Sequence, residues 1–173
     1  MKIYYLACVC LAGFYGCAEG EPLLSAITLG AGQACDGIDV YRLGVQKDST
    51  LRMFPSDVGW LSLYCEASLS DWKHGGDEVY GGAFSPVFIY FFGDPADAVH
   101  PYIEAGIGAA YLSESDIGGR DFSTRFQFED RAGVGVRMKT VDFNIRYMHY
   151  SNGSIEEPND GMDIFMFTVG YRL

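Results

Sequence analysis

From residue 164 to the end of the chain the side chains alternate. Phe165, Phe167, Val169, Tyr171 and Leu173 fall on one parity, with Ile164, Met166, Thr168, Gly170 and Arg172 on the other. A side-chain period of two is the mark of a pleated strand, in which successive Cβ atoms point to opposite faces. Phe143, Ile145 and Tyr147 repeat it against Asp142, Asn144 and Arg146. Less clean alternation runs over 24–35, 38–47, 59–72, 80–92, 101–114 and 122–138, separated by breaks such as Gly75-Gly76-Asp77, Gly93-Asp94-Pro95 and Gly118-Gly119-Arg120. The reading is all-β, with eight strands of about ten residues, a number that can close into a barrel. Beyond residue 18 the longest purely apolar run is 87–92, far short of a membrane-crossing helix.

Which face is polar separates a soluble barrel from a membrane one. One face would carry Arg42, Glu66, Glu104, Arg125, Glu129, Arg131, Arg137, Asp142, Asn144 and Arg146, interleaved with Gly106, Gly108, Gly133 and Gly135. Charges of both signs can pair in a narrow lumen beside glycines that make room for them, whereas a soluble barrel would turn them outward around an apolar interior. The other face is aromatic and aliphatic over most of its length, as lipid requires, and the alternating aromatics at the chain's end look like an outer-membrane assembly signal. The expectation is an eight-stranded antiparallel transmembrane β-barrel of the outer-membrane type, multi-pass in a Gram-negative outer membrane. Its apolar outer face also leaves room for a homodimer. Trp60 and Trp72 read as interface-belt residues. Asp130 falls on the lipid parity of its strand and predicts a bulge or a register change near Glu129-Asp130.

Composition agrees. With 12 Lys and Arg against 23 Asp and Glu, a net charge of −11 repels phosphate backbones and argues against a nucleic-acid partner. Met1-Lys2 followed by the apolar stretch 3–14 and small residues at Gly16 and Ala18 resembles an export signal, giving a signal peptide over 1–18 and a barrel over 19–173. Lipidation at Cys17 is the rival reading. Cys35 and Cys65 would remain in the mature chain, on strands that are not neighbours, so a bridge between them is not the favoured reading.

With both termini on the periplasmic side, Lys139-Thr140 is a tight periplasmic turn and 152–161 an extracellular loop. His149 and Ser151 are two apart on the seventh strand, so both side chains share a face, about 7 Å apart at Cα. Their parity is that of Phe143 and Tyr147, which places them on the lipid side at the outward end. Asp163, just after the loop, has the parity of Phe165 and can lie beside His149 across the ladder. Nucleophile, base and orienter can thus meet on one hairpin, 141–173. Spacing alone favours the plainer reading, a His and a Ser that hydrogen-bond loop or water. His74 and His100 sit in separate loops without companions, so no metal is expected, and no cofactor either. Asn152-Gly153-Ser154 matches a glycosylation sequon, a coincidence in a bacterial export context.

The stretch Arg146-Tyr147-Met148-His149-Tyr150-Ser151-Asn152, followed by Pro158-Asn159-Asp160-Gly161, resembles the signature of the lipid A 3-O-deacylase (PagL) family. So do Ser85-Pro86-Val87-Phe88-Ile89-Tyr90, Tyr102-Ile103-Glu104-Ala105-Gly106-Ile107-Gly108 and Phe128-Glu129-Asp130-Arg131. The resemblance implies an outer-membrane esterase that removes the 3-O-linked acyl chain from lipid A of lipopolysaccharide. It implies His149 as base, Ser151 as nucleophile and Asp163 as orienter, where the family usually has Glu; Glu156 or Glu157 would be the fallback. The family's Ala-Gly after the Asn is here Gly153-Ser154, which bears on an oxyanion hole needing positive φ at the second position. Asn152, Gly153, Ser154 and Asn159 are the expected oxyanion or substrate-positioning residues, and the active site is expected to face the outer leaflet. A non-enzymatic structural or binding barrel is the alternative. The acidic loops would repel lipid A phosphates unless divalent cations bridge them.

Overall fold

A computed structural model of the chain describes residues 22–34 and 36–173. The expected signal peptide and Cys35 lie outside the described residues, so cleavage after residue 18 and a Cys35 bridge are not addressed by it. Eight strands form one closed antiparallel barrel: β1 (Ala26–Ala34), β2 (Asp39–Asp48), β3 (Gly59–His74), β4 (Asp77–Phe92), β5 (Val99–Leu112), β6 (Phe126–Met138), β7 (Val141–Ser151) and β8 (Met162–Arg172). Each pairs with its chain neighbours, and β8 closes on β1 with Ala26 opposite Arg172. Closure leaves no free strand edge. The even strand number puts the start of β1 and the end of β8 at one end of the barrel, with turns 49–58, 93–98 and 139–140. Connections 36–38, 75–76, 113–125 and 152–161 lie at the other.

Side-chain parity follows the sequence closely. Leu29, Leu69, Phe84, Ile103, Val134, Ile145, Phe165 and Phe167 face outward and are half or more exposed in most cases, while Arg42, Glu66, Glu104, Glu129, Arg131 and Arg146 are buried in the lumen. These three arginines and three glutamates pair among themselves. Arg42 donates to Glu129 at 2.7 Å and to Glu66 at 3.1 Å, Arg131 to Glu66 at 2.9 Å, and Arg146 to Glu104 at 2.8 Å. Arg131 also bonds Glu129. Ser85 Oγ donates to Glu129 at 2.6 Å, and the lumen-side glycines are what let such groups fit. A Cβ on Gly108 would stand 2.0 Å from Ser85 Oγ.

Three expectations are corrected. Trp60 and Trp72 are 7% and 0% exposed and face the lumen, because the parity that carries Glu66 inward carries residues 60 and 72 inward as well. No bulge occurs at Glu129-Asp130. The ladders pair Asp130 with Ile107 on one side and His149 on the other without a break, so Asp130 stays on the outward parity. Arg125 lies just before β6 in the connection 113–125, exposed and paired with Glu114 at 3.0 Å, and is no part of the lumen. Above the charged belt the lumen is filled by an apolar plug. Trp72, Met148, Ile164 and Met166 come from the wall, and Ile117 and Phe122 fold in from the connection before β6.

The outward face sets a stability prediction. Phe167 sits midway along β8, 51% exposed and stacked on Phe143. Phe167→Lys should destabilise the barrel by about 2–4 kcal/mol in bilayers, measured by urea titration of the heat-modifiable gel shift in liposomes. An unchanged midpoint would contradict the assignment of this face to lipid.

Candidate active site

The outward parity of β7 carries Tyr147, His149 and Ser151 to the rim of the barrel away from the termini. Pairing with β8 sets Asp163 directly opposite His149, and pairing with β6 sets Asp130 opposite it on the other side. One row across three strands is therefore Asp130, His149, Asp163. His149 Nδ1 lies 2.6 Å from Asp163 Oδ1, the distance of an Nδ1–H donating to a carboxylate. Tyr147 OH donates to the same oxygen at 2.7 Å. Asp163 thus reaches the ring although it is one methylene shorter than Glu. Glu156 and Glu157 are exposed in the connection 152–161, and among the described residues the carboxylate on the ring is that of Asp163. The His149 and Asp163 side chains are 38% and 47% accessible on the outside of the wall.

With Nδ1 engaged by Asp163, Nε2 is the ring nitrogen that remains. Ser151 ends β7, half-buried on the same face, and the chain turns immediately after it. Asn152 is fully buried and makes that turn rigid. Its Nδ2 donates to Phe122 O at 2.8 Å and Glu156 O at 2.7 Å, while its Oδ1 accepts from Ile155 N at 3.1 Å. Asn159 Oδ1 accepts from Asn152 N at 3.0 Å. Both donors of the Asn152 amide are spent on backbone carbonyls, one in its own loop and one in the connection 113–125, so its side chain positions the turn.

Gly153 and Ser154 follow at φ 66 and 59, both in the left-handed region. The position expected to need positive φ has it, held there in a serine against the ordinary preference of an L residue. Among the described residues no acceptor engages the Gly153 or Ser154 N–H. Two backbone donors beside Ser151 are thereby left open.

Four contributors escape a reading of the sequence. Tyr147 was legible only as an aromatic on the outer face, and its hydroxyl bond to Asp163 needs the register. Asp130 was assigned to a bulge. Gly161, at φ 59, packs on the imidazole: a Cβ there would come within 3.1 Å of His149 Cε1 and 3.6 Å of Nε2. Arg120 belongs to a small hairpin in the connection before β6, where Ile117 pairs with Arg120 across Gly118-Gly119 at φ 59 and 83, a two-residue turn that glycine accommodates. It donates to Gly161 O at 2.6 Å and Asp160 O at 3.2 Å and pairs with Asp36.

The family model for lipid A 3-O-deacylase (PagL) matches residues 39–172. The lipid A deacylase PagL of Pseudomonas aeruginosa is 36% identical over 129 residues, covering 72% of this chain and 73% of that protein. That of Bordetella bronchiseptica is 33% identical over 124 residues, covering 69% and 67%. The crystal structure of the outer membrane enzyme PagL superposes with a TM-score of 0.82 at 30% identity, over 86% of this chain and 100% of the other. De novo designed transmembrane β-barrels share the fold at a TM-score of 0.55 and 12% identity. With most of the chain matched by the family model and by relatives at this identity, the protein belongs to the lipid A 3-O-deacylase (PagL) family.

Proposed function

We propose that this outer-membrane enzyme hydrolyses the ester-linked acyl chain at position 3 of lipid A, with Ser151 as nucleophile, His149 as general base and Asp163 as the residue that orients it. The observation that carries this reading is the 2.6 Å contact of His149 Nδ1 with Asp163 Oδ1 on the outward face of the wall, two residues from Ser151. A carboxylate on Nδ1 fixes the tautomer in which Nε2 is a free acceptor and stabilises the imidazolium once it forms.

Ser151 Oγ attacks the ester carbonyl and passes its proton to His149 Nε2, forming a tetrahedral oxyanion. In this reading the Gly153 and Ser154 N–H groups, which have no acceptor among the described residues, receive that charge together with the Asn159 amide. Collapse breaks the bond to the sugar oxygen, which leaves with the proton returned by His149. The acyl-serine is then attacked by water through the same base, releasing the fatty acid and restoring Ser151.

Placement supports the reading. Acyl esters of lipid A lie where acyl chains meet headgroups, and the site stands at the rim, above a lipid-facing strip that includes Ala132, Val134 and Ile145. The end bearing both termini is the periplasmic one for an exported chain, so the site faces the outer leaflet. All three residues come from one hairpin, so a single barrel holds a complete site and a homodimer is not needed for the chemistry. Lipid A extracted from a Gram-negative host expressing the chain should lose one ester-linked hydroxyacyl chain by mass spectrometry. Lipid A of unchanged mass would favour a structural barrel.

The orienter has its own test. Asp163→Asn keeps the size of the side chain but removes the charge and permits the amide to donate to Nδ1, which favours the wrong tautomer. The kcat for lipid A should fall by about 10²–10⁴-fold. Asp163→Glu, which restores the acid implied by the family pattern, should retain activity. A Glu157→Ala variant that loses activity while Asp163→Asn keeps it would move the role into the loop.

A further inference from the structure

We infer that Arg120 is a positioning residue for the His149 imidazole, acting through Gly161; the inference rests on the catalytic reading above. Asp163, itself held by the Tyr147 hydroxyl, grips the ring at its Nδ1 edge. The opposite edge, which has to meet Ser151, is bounded by Gly161. Gly161 stands one residue before the first ladder pair of β8, Met162 opposite Tyr150, so strand pairing does not fix it.

What does fix it is Arg120, whose Nη1 donates to the Gly161 carbonyl at 2.6 Å and to that of Asp160 at 3.2 Å. The Nε of the same guanidinium is held by Asp36, from the connection between β1 and β2. Asp160 is secured a second time, its Oδ2 accepting from Asp121 N at 2.8 Å and its N–H donating to Asp121 O at 3.2 Å. One planar cation therefore ties three connections together at the point where a glycine touches the base.

A cation at headgroup depth could instead serve to attract lipid phosphate. The geometry favours the structural use, because Nε is committed to a carboxylate and Nη1 to two carbonyls, which leaves Nη2 alone to meet a phosphate. Arg125 supplies the comparison: it lies in the same connection, carries the same charge, and pairs at the surface with the exposed Glu114. Arg also differs from Lys here, since its rigid fork sets two donor directions at once.

The test uses the purified full-length chain in detergent micelles with lipid A as substrate. Arg120→Ala should lower kcat by about 10–100-fold, as expected for a base displaced by about an ångström, with KM within about twofold and the heat-modifiable gel shift intact. Arg120→Lys, which keeps one donor within reach of Gly161 O, should recover part of the loss, and Arg125→Ala should leave both constants unchanged. Independently of turnover, ¹⁵N-imidazole spectra, with the His149 signals identified by their absence in His149→Ala, should show one sharp ring in the wild type and a broadened or split one in Arg120→Ala. Wild-type kcat and an unaltered His149 spectrum in Arg120→Ala would overturn the inference. So would a raised KM at unchanged kcat, the sign of headgroup binding, or an equal loss in Arg125→Ala. If wild type and Ser151→Ala hydrolyse lipid A equally, the catalytic reading fails, and the spectra still decide whether Arg120 holds the ring.

Discussion

Ser151→Ala should abolish lipid A deacylation, lowering kcat by at least about 10³-fold while leaving the barrel folded. His149→Ala should do nearly the same. The two residues act on one proton and one bond, so removing either removes the covalent route, and the double variant should be scarcely worse than each single one. The residual rate in each case is what oriented backbone donors and substrate binding supply without a nucleophile. Neither substitution disturbs the core. Ser151 is half-buried at the end of β7, and His149 is 38% accessible on the outside of the wall. The measurement is mass spectrometry of lipid A from membranes bearing each variant at matched, heat-modifiable barrel levels. Equal loss of the acyl chain from wild type and Ser151→Ala would remove the esterase assignment. Parallel loss of both chemistry and gel shift would mean that the hairpin, and not the nucleophile, had been tested.

How far the sequence itself leads to this site depends on the physics behind each part. Parity is a local property, so the outward line of Phe143, Tyr147, His149 and Ser151 and the matching line of Asp163, Phe165 and Phe167 are legible without coordinates. Two outward lines on adjacent strands must meet somewhere along the ladder, which is why Asp163 could be named as the partner of His149. What parity cannot convey is how a connection folds back. Ile117 and Phe122 enter the lumen as part of an apolar plug, and Arg120 reaches Gly161 from the same segment. These contacts join residues whose order along the chain carries no period. The mistakes have the same root. Trp60 and Trp72 were assigned by residue type, when the parity of Glu66 already sent them inward. Asp130 was assigned a bulge because a carboxylate in a lipid-facing row is costly, and the unbroken ladder shows it standing in register beside the proposed base. A polar residue that breaks a rule of the fold there is better read as belonging to the site.

Glu66→Ala should destabilise the barrel by about 3–5 kcal/mol, the range for breaking a buried ion pair from one side. Glu66 is fully buried and receives Arg42 at 3.1 Å, Arg131 at 2.9 Å, Arg146 at 3.3 Å and Gln46 at 2.8 Å. Its loss leaves three guanidiniums facing two remaining carboxylates, Glu104 and Glu129, in a lumen with little water to screen the excess charge. Truncation costs more than the net worth of the pair, because the uncompensated arginines stay desolvated. That distinction can be measured. Arg131 is fully buried between Glu66 and Glu129, and its Nε is without a hydrogen-bond partner. Removing it together with Glu66, as Glu66→Met with Arg131→Met, restores charge balance and fills the space with apolar volume. The double variant should be more stable than Glu66→Ala, and its loss should be smaller than the sum of the single losses by more than about 1 kcal/mol, as for residues in one network. Urea titrations in liposomes give all the midpoints. Strictly additive losses would show that lumen water screens these charges, and that the network contributes to packing more than to electrostatics.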